Sequence, residues 1–142
     1  MRFISAWTLG AICALATTAA LAQVYPLQNG PGVERGISEQ NTSGQVGTAT
    51  LFNRGSSTVI VLNIKSVPPG KTEPAELHRT PSQTCDSYEP QIVYVLKPVV
   101  NGASRSTVPA PIAKLLSGNY VVIVRSAEKP EHAFSCGHLY LN

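Results

Sequence analysis

Charged, aromatic and cysteine residues are all scarce in this sequence of 142 residues. Charged residues make up 13% of the chain and aromatic residues 6%, and there are only three cysteines. The formal net charge is +3, but the lysines and arginines are scattered and form no run of like sign. Because a surface for nucleic acid or anionic lipid needs clustered positive charge, we expect no nucleic-acid partner.

Several catalytic motifs are also missing from the sequence. It has no C-x-x-C pair, no G-x-S-x-G nucleophile motif and no glycine-rich phosphate loop between a strand and a helix. The only aspartate is Asp86, which leaves little material for a Ser-His-Asp triad. These absences argue against a thiol redox enzyme, a serine hydrolase and a nucleotide-binding enzyme.

The first 22 residues have the pattern of a secretory signal peptide. Arg2 supplies a positive charge, residues 3–20 are largely apolar, and an A-x-A ending closes the segment at Ala22. We expect cleavage before Gln23, which leaves one domain over residues 23–142 in the periplasm or outside the cell. A retained membrane anchor is the alternative, but two threonines interrupt a stretch that is short for a span. After cleavage, no apolar run is long enough to cross a bilayer.

The cysteines support the same interpretation. Cleavage would remove Cys13 and leave Cys85 and Cys136. Two remaining cysteines in an oxidising compartment predict a disulfide between them. A redox pair or a thiolate metal site is the alternative, and the wide spacing of the two residues disfavours both.

Short β-type runs separated by turn signals predict an all-β fold. About seven or eight strands, with turns every 8–12 residues or so, are typical of a Greek-key sandwich or flattened barrel of antiparallel strands. The run at residues 120–124 is apolar throughout, which indicates a strand buried on both faces. The other predicted strands are an edge strand before residue 45 and the segments 46–52, 58–67, 75–79, 91–98, 104–108 and 134–141, and one short helix is predicted at 112–116.

Three segments, taken in order, share a pattern with a known family. They are residues 47–51 with the strand at 58–67 and Pro68-Pro69-Gly70, residues 73–78 (E-P-A-E-L-H) with the following Cys85, and residues 120–126 (Y-V-V-I-V-R-S) with Ser135-Cys136-Gly137. Together they resemble the Cu/Zn superoxide dismutases in the compact form of small exported bacterial proteins. Domains of the CHRD type share much of this pattern, although they usually lack the closing Cys-Gly. The resemblance implies a Greek-key β-sandwich over most of residues 23–142.

The metal-binding positions of this family are altered in the sequence. Copper there needs converging imidazoles, and the resemblance places Glu76, His78 and Arg125 where the family has histidines. Only His78 keeps the ligand. The zinc loop and the bridging histidine have no counterpart, and Ala133 stands where the enzymes have an arginine that guides superoxide. The resemblance therefore implies a domain without copper or zinc, and a non-catalytic binding or envelope protein whose partner the sequence does not identify.

The replacements predict an ion pair in place of the metal. Strand alternation puts Glu76 and His78 on one face, with Leu77 toward the core. On the resemblance, Arg125 projects toward them and forms a bidentate pair with Glu76. The alternative is a weak copper site, or residual dismutase chemistry, centred on His78. The neighbouring arginine disfavours it, because a fixed positive charge repels metal ions.

Two further histidines match none of the family's ligand positions. His132 lies in a polar turn, which predicts a solvated side chain. His138 shares a face of the last strand with Cys136, which predicts an outer-face residue. We therefore predict no metal site at either histidine.

Overall fold

The computed structural model describes residues 30–81, 84–85 and 91–140. The predicted signal peptide at residues 1–22 lies outside these residues. The described part is mostly β, with one short helix. In chain order the elements are β1 (Val33–Glu39), β2 (Gly47–Arg54), β3 (Ser57–Ile64), β4 (Thr72–Glu73), β5 (Ala75–Arg79), β6 (Ile92–Val95), β7 (Val99–Val100), β8 (Ala103–Val108), α1 (Ile112–Ser117), β9 (Tyr120–Arg125) and β10 (Ala133–His138).

Antiparallel pairing joins the ten strands of the described residues into one curled sheet. Their order is β4-β7-β8-β3-β2-β1-β10-β9-β5-β6, so the prediction of an all-β fold is confirmed. The predicted seven or eight strands are too few, because β4 and β7 were missed. Each has two residues, and they pair with each other across a distance in sequence that local periodicity does not report.

β1 lies in the middle of the sheet, and the prediction of an edge strand there was wrong. Its first part, from Val33 to Ile37, pairs with β2, whereas Ser38 and Glu39 pair with β10. The described proline of this region, Pro31, precedes β1 and does not interrupt its pairing. The strand therefore changes partner along its length and links the two parts of the sheet.

The remaining elements follow the sequence closely, with differences at their ends. α1 contains the predicted helix and one more residue, Ser117. β3 ends at Ile64, before the predicted limit at residue 67, because the backbone leaves the extended region. Ser66 has a φ of 65°, which a β-strand does not accommodate.

β9 is buried on both faces, as its sequence predicts. Val122 and Val124 join the main apolar core. Val121 and Ile123 point to the opposite face and join a smaller cluster that includes Cys136. Side chains alternate along a strand, so β9 separates two environments within one sheet.

The Cys136-Gly137 step lies where β10 passes close to β1. A Cβ atom at Gly137 would be 2.5 Å from the carbonyl oxygen of Gly36. Only glycine avoids this collision with the neighbouring backbone. The glycine thus permits β1 and β10 to pair beside Cys136.

Candidate functional site

The smaller apolar face of the sheet carries the three polar side chains singled out from the sequence. In β5, Glu76 pairs with Ile123 of β9 and His78 pairs with Val121. Directly opposed residues share a face, so both side chains lie on the side away from the main core. Arg125 follows Ile123 by two residues in β9 and lies on that face as well. The structure brings Glu76, His78 and Arg125 into one cluster.

Two nitrogens of the Arg125 guanidinium donate hydrogen bonds to different partners. Its Nε donates a hydrogen bond of 3.0 Å to Oε2 of Glu76, and its Nη1 donates one of 3.1 Å to the carbonyl of Pro130. The predicted bidentate pair is therefore not formed, because the turn before β10 takes up Nη1. The side chains of Arg125 and Glu76 are only 10% and 17% exposed, so the contact is largely shielded from water.

His78 bonds to the same carboxylate oxygen as Arg125. Its Nε2 lies 2.8 Å from Oε2 of Glu76. Burial raises the pKa of Glu76, but hydrogen bonds from His78 and Arg125 outweigh burial and hold that pKa below its ordinary value of 4.5. An ionised carboxylate only accepts, so Nε2 of His78 carries the hydrogen in this bond. A protonated ring nitrogen has no lone pair to offer a metal ion.

The structure contains the predicted disulfide between Cys85 and Cys136. Cys136 pairs with Ile123 of β9, which also pairs with Glu76. The disulfide therefore lies on the same face as the Glu76 cluster, with one strand between them. Cys136 itself is 2% exposed. The bridge fixes the Cys85 segment over this face.

His138 lies with Cys136 on the face of β10 away from the main core, as predicted, and it packs there against the disulfide. Its Nε2 lies 3.9 Å from Sγ of Cys85, and its ring meets Tyr140 edge-on with centroids 5.2 Å apart. Its buried Nδ1 has no hydrogen-bond partner among the described residues. The alternation was read correctly, but the disulfide covers this end of the face. His132 is exposed, as predicted.

The described residues were searched for clusters of metal-ligating side chains. Within residues 30–81, 84–85 and 91–140, no group of three or more His, Cys, Asp or Glu residues could hold a metal ion. Over the same residues, no helix is long and apolar enough to cross a membrane.

Glu76 also lines a largely apolar cavity of about 410 Å³ at the end of the sheet. Pro74, Val95 and Pro98 form part of its wall. Val95 belongs to the edge strand β6 and is 78% exposed. Of the three residues in the cluster, Glu76 alone lines this cavity.

Sequence analysis missed a second buried carboxyl group, that of Glu73 in β4. Glu73 is 2% exposed, and its Oε1 accepts a hydrogen bond of 2.7 Å from Nε2 of Gln45. Burial raises the pKa of Glu73 above 4.5, and the bond from Gln45 offsets burial only in part. A signal was present, because Glu73 shares its alternation with the core residues Ala75 and Leu77. Pro74 lies between Glu73 and Ala75, and because proline is unusual inside a strand, the alternation was not followed back to Glu73.

The chain was compared with protein-family models, with curated proteins and with solved structures, and none of them matches it.

Proposed function

We propose that this protein is an exported domain with the fold of the Cu/Zn superoxide dismutases that has lost both metal sites. It acts as a non-catalytic binding or envelope protein, in the periplasm or outside the cell. Its domain spans residues 23–142 as a Greek-key β-sandwich. The observation that carries the proposal is the contact of Arg125 with Glu76, at two positions where the resemblance requires histidine ligands.

The charges of the cluster support a site without metal. An arginine stays protonated throughout the accessible pH range, so its positive charge is permanent. Its Nε lies 3.0 Å from Oε2 of Glu76, the carboxylate of this cluster. His78, the single histidine retained at a ligand position, uses Nε2 to donate to Glu76. The cluster therefore satisfies its own charges, and the ring nitrogen of His78 that faces Glu76 is not free to bind copper, which prefers imidazole nitrogens.

The strand arrangement supports the fold assignment. β5 and β9 are neighbours, and β10 with its Cys136-Gly137 step is the next strand. Two of the three segments that carry the resemblance are therefore adjacent in the sheet, whereas the first segment, in β2 and β3, lies beyond β1. The disulfide supports export, since such bonds form and persist in oxidising compartments.

The decisive experiment measures metal affinity of the purified, oxidised protein. The wild-type chain, the double variant Glu76→His with Arg125→His, and the control His132→Ala would be loaded with copper and zinc and then dialysed. Bound metal and superoxide removal would be measured for each. We expect no stoichiometric metal and no dismutase activity in the wild type, and copper uptake in the double variant.

Two results would contradict the proposal. Stoichiometric copper in the wild type, abolished by His78→Ala but not by His132→Ala, would favour the alternative copper site at His78. A well-folded double variant without any gain in copper affinity would contradict the assignment of these positions to a former metal site.

A further inference from the structure

A cavity of about 460 Å³ lies beside the second buried carboxyl group, outside the Glu76 cluster. One wall is the segment that leads into β4, including Pro68, Lys71 and Glu73. The facing wall is the turn after β9, with Ala127 and Glu128. Lys71 and Glu128 form an exposed ion pair that joins the two walls. The cavity is independent of the resemblance on which the proposed function rests.

Glu73 lines this cavity, and two buried oxygens at its contact with Gln45 have no partner among the described residues. They are Oε2 of Glu73 and Oε1 of Gln45, and neither receives a hydrogen bond from the described residues. Both atoms are acceptors when Glu73 is ionised. Leaving buried acceptors unpaired costs free energy, so a hydrogen-bond donor that reached them would bind favourably.

The net charge of the cavity favours a cation over a neutral hydrogen-bond donor. Its charged side chains are Glu73, Lys71 and Glu128. Lys71 and Glu128 neutralise each other, so an ionised Glu73 leaves one uncompensated negative charge. Phe134 lines the cavity as well, and an aromatic ring attracts cations through its face and packs against alkyl groups.

We propose that this cavity binds a small organic monocation, a primary ammonium ion with a short alkyl body. The ammonium group takes the place next to the Glu73 carboxylate. The alkyl body lies against Pro68, Ala127 and Phe134. The Lys71–Glu128 pair is exposed, so solvent screens its attraction and opening it costs little free energy.

Protons compete with the ligand for Glu73. Burial raises the pKa of this carboxyl group, so it ionises at a higher pH than an exposed glutamate does. Lys71 and Glu128 are the other titratable residues of the cavity, and their ion pair keeps both charged across the neutral range. The affinity for an ammonium ion therefore rises with pH as Glu73 loses its proton.

The test is a titration with n-butylammonium, with n-butanol as the neutral analogue. Binding is measured by amide chemical-shift changes in the oxidised wild type, in Glu73→Gln and in Glu131→Gln. Glu131→Gln is the matched control, because it removes an equal charge from an exposed site outside the cavity. We expect butylammonium to shift cavity amides, Glu73→Gln to weaken binding by at least about tenfold, and the control to leave it unchanged.

Three outcomes would overturn the proposal. They are the absence of saturable shifts at the cavity, equal binding of butanol and butylammonium, and equal affinity in the wild type and Glu73→Gln. A loss of affinity in acid for the wild type, absent for butanol, supports the proposal without any substitution. None of these outcomes depends on metal content, so this inference and the proposed function fail separately.

Discussion

Glu73 and Glu76 lie three positions apart, one at the end of β4 and the other in β5, yet their surroundings are opposite. Glu76 meets Arg125 and His78, and its pKa is held below 4.5 although burial acts to raise it. Among the described residues, the Glu73 carboxylate accepts a hydrogen bond from the neutral amide of Gln45 and from no cation, and burial raises its pKa. The difference indicates that hydrogen bonds from His78 and Arg125, together with the charge of Arg125, outweigh burial at Glu76, whereas one amide does not outweigh it at Glu73.

The two glutamates lie on opposite faces of the sheet. Glu76 shares its face with the disulfide, whereas Glu73 has the alternation of the main core. One face therefore holds a self-neutralised cluster, and the other holds a carboxyl group that needs a partner. The Glu76 carboxylate is paired with the Arg125 cation, whereas Oε2 of Glu73 has no partner among the described residues.

Removal of the disulfide should have the largest effect, and it acts on the Glu76 side. The bridge closes a segment with a sequence separation of 51 residues. For a loop of this size, the chain-entropy model gives about 4 kcal/mol of lost stability in Cys85→Ala with Cys136→Ala. Urea unfolding of the oxidised wild type and the variant measures the loss. A variant as stable as the wild type would show that the bridge does not constrain the unfolded chain.

The next effect comes from breaking the ion pair on one side only. Arg125→Met leaves the Glu76 carboxylate shielded without its cation, and we expect a loss of about 2–3 kcal/mol near neutral pH. Because the folded pKa of Glu76 is lowered, its stabilising contribution is present above pH 4.5 and is lost as the pH falls through the folded pKa. The loss caused by Arg125→Met should therefore shrink in acid.

The double variant Glu76→Met with Arg125→Met provides the control for this pair. Removing both charges leaves no unpaired ion, so the double variant should be more stable than Arg125→Met alone. Denaturant unfolding of the four proteins in the cycle measures the coupling. Additive losses would contradict a direct ion pair.

Removing the charge of Glu73 should raise the stability of the fold, whereas removing the charge of Arg125 should lower it. Glu73→Gln removes a buried charge and adds an amide donor for Oε1 of Gln45, so it should stabilise the fold by about 1 kcal/mol near pH 8. Because the folded pKa of Glu73 is raised, the wild type is favoured below 4.5 and loses this contribution as the pH rises through the folded pKa. The gain should vanish in acid. Equal stability changes at both pH values would argue against a buried, titrating Glu73.

The smallest effect is expected at the exposed ion pair of Lys71 and Glu128. Their side chains are 55% and 74% exposed, so water and salt screen the attraction. Lys71→Ala should leave the melting temperature almost unchanged at moderate salt. A large loss, comparable to that of Arg125→Met, would show that burial does not distinguish the two ion pairs.

Local pattern predicted much of the fold and part of the site. The apolar run of β9, the helix α1 and the partition of β5 into Leu77 on one face and Glu76 with His78 on the other follow from residue alternation. The disulfide follows from the cysteine count, on the prediction that Cys13 is removed with a signal peptide. The position of β1 was misjudged, because the choice of neighbouring strands depends on contacts between distant segments.

The details of the site escaped prediction for a similar reason. The bond from Arg125 to the Pro130 carbonyl prevents the bidentate pair, and it depends on how the turn before β10 folds back. The cover over His138 depends on the disulfide. Gln45 and Glu73 meet only because the segment before β2 lies beside β4.

The sequence by itself determined which residues alternate between two faces and which cysteines are available for a bridge. These properties are local or are simple counts, so the order of residues contains them. The tertiary structure alone decided which carboxyl group receives a cation and which is left with an amide. The outcome depends on electrostatic interactions over a few ångströms between segments far apart in the chain. Only the folded sheet brings those segments together.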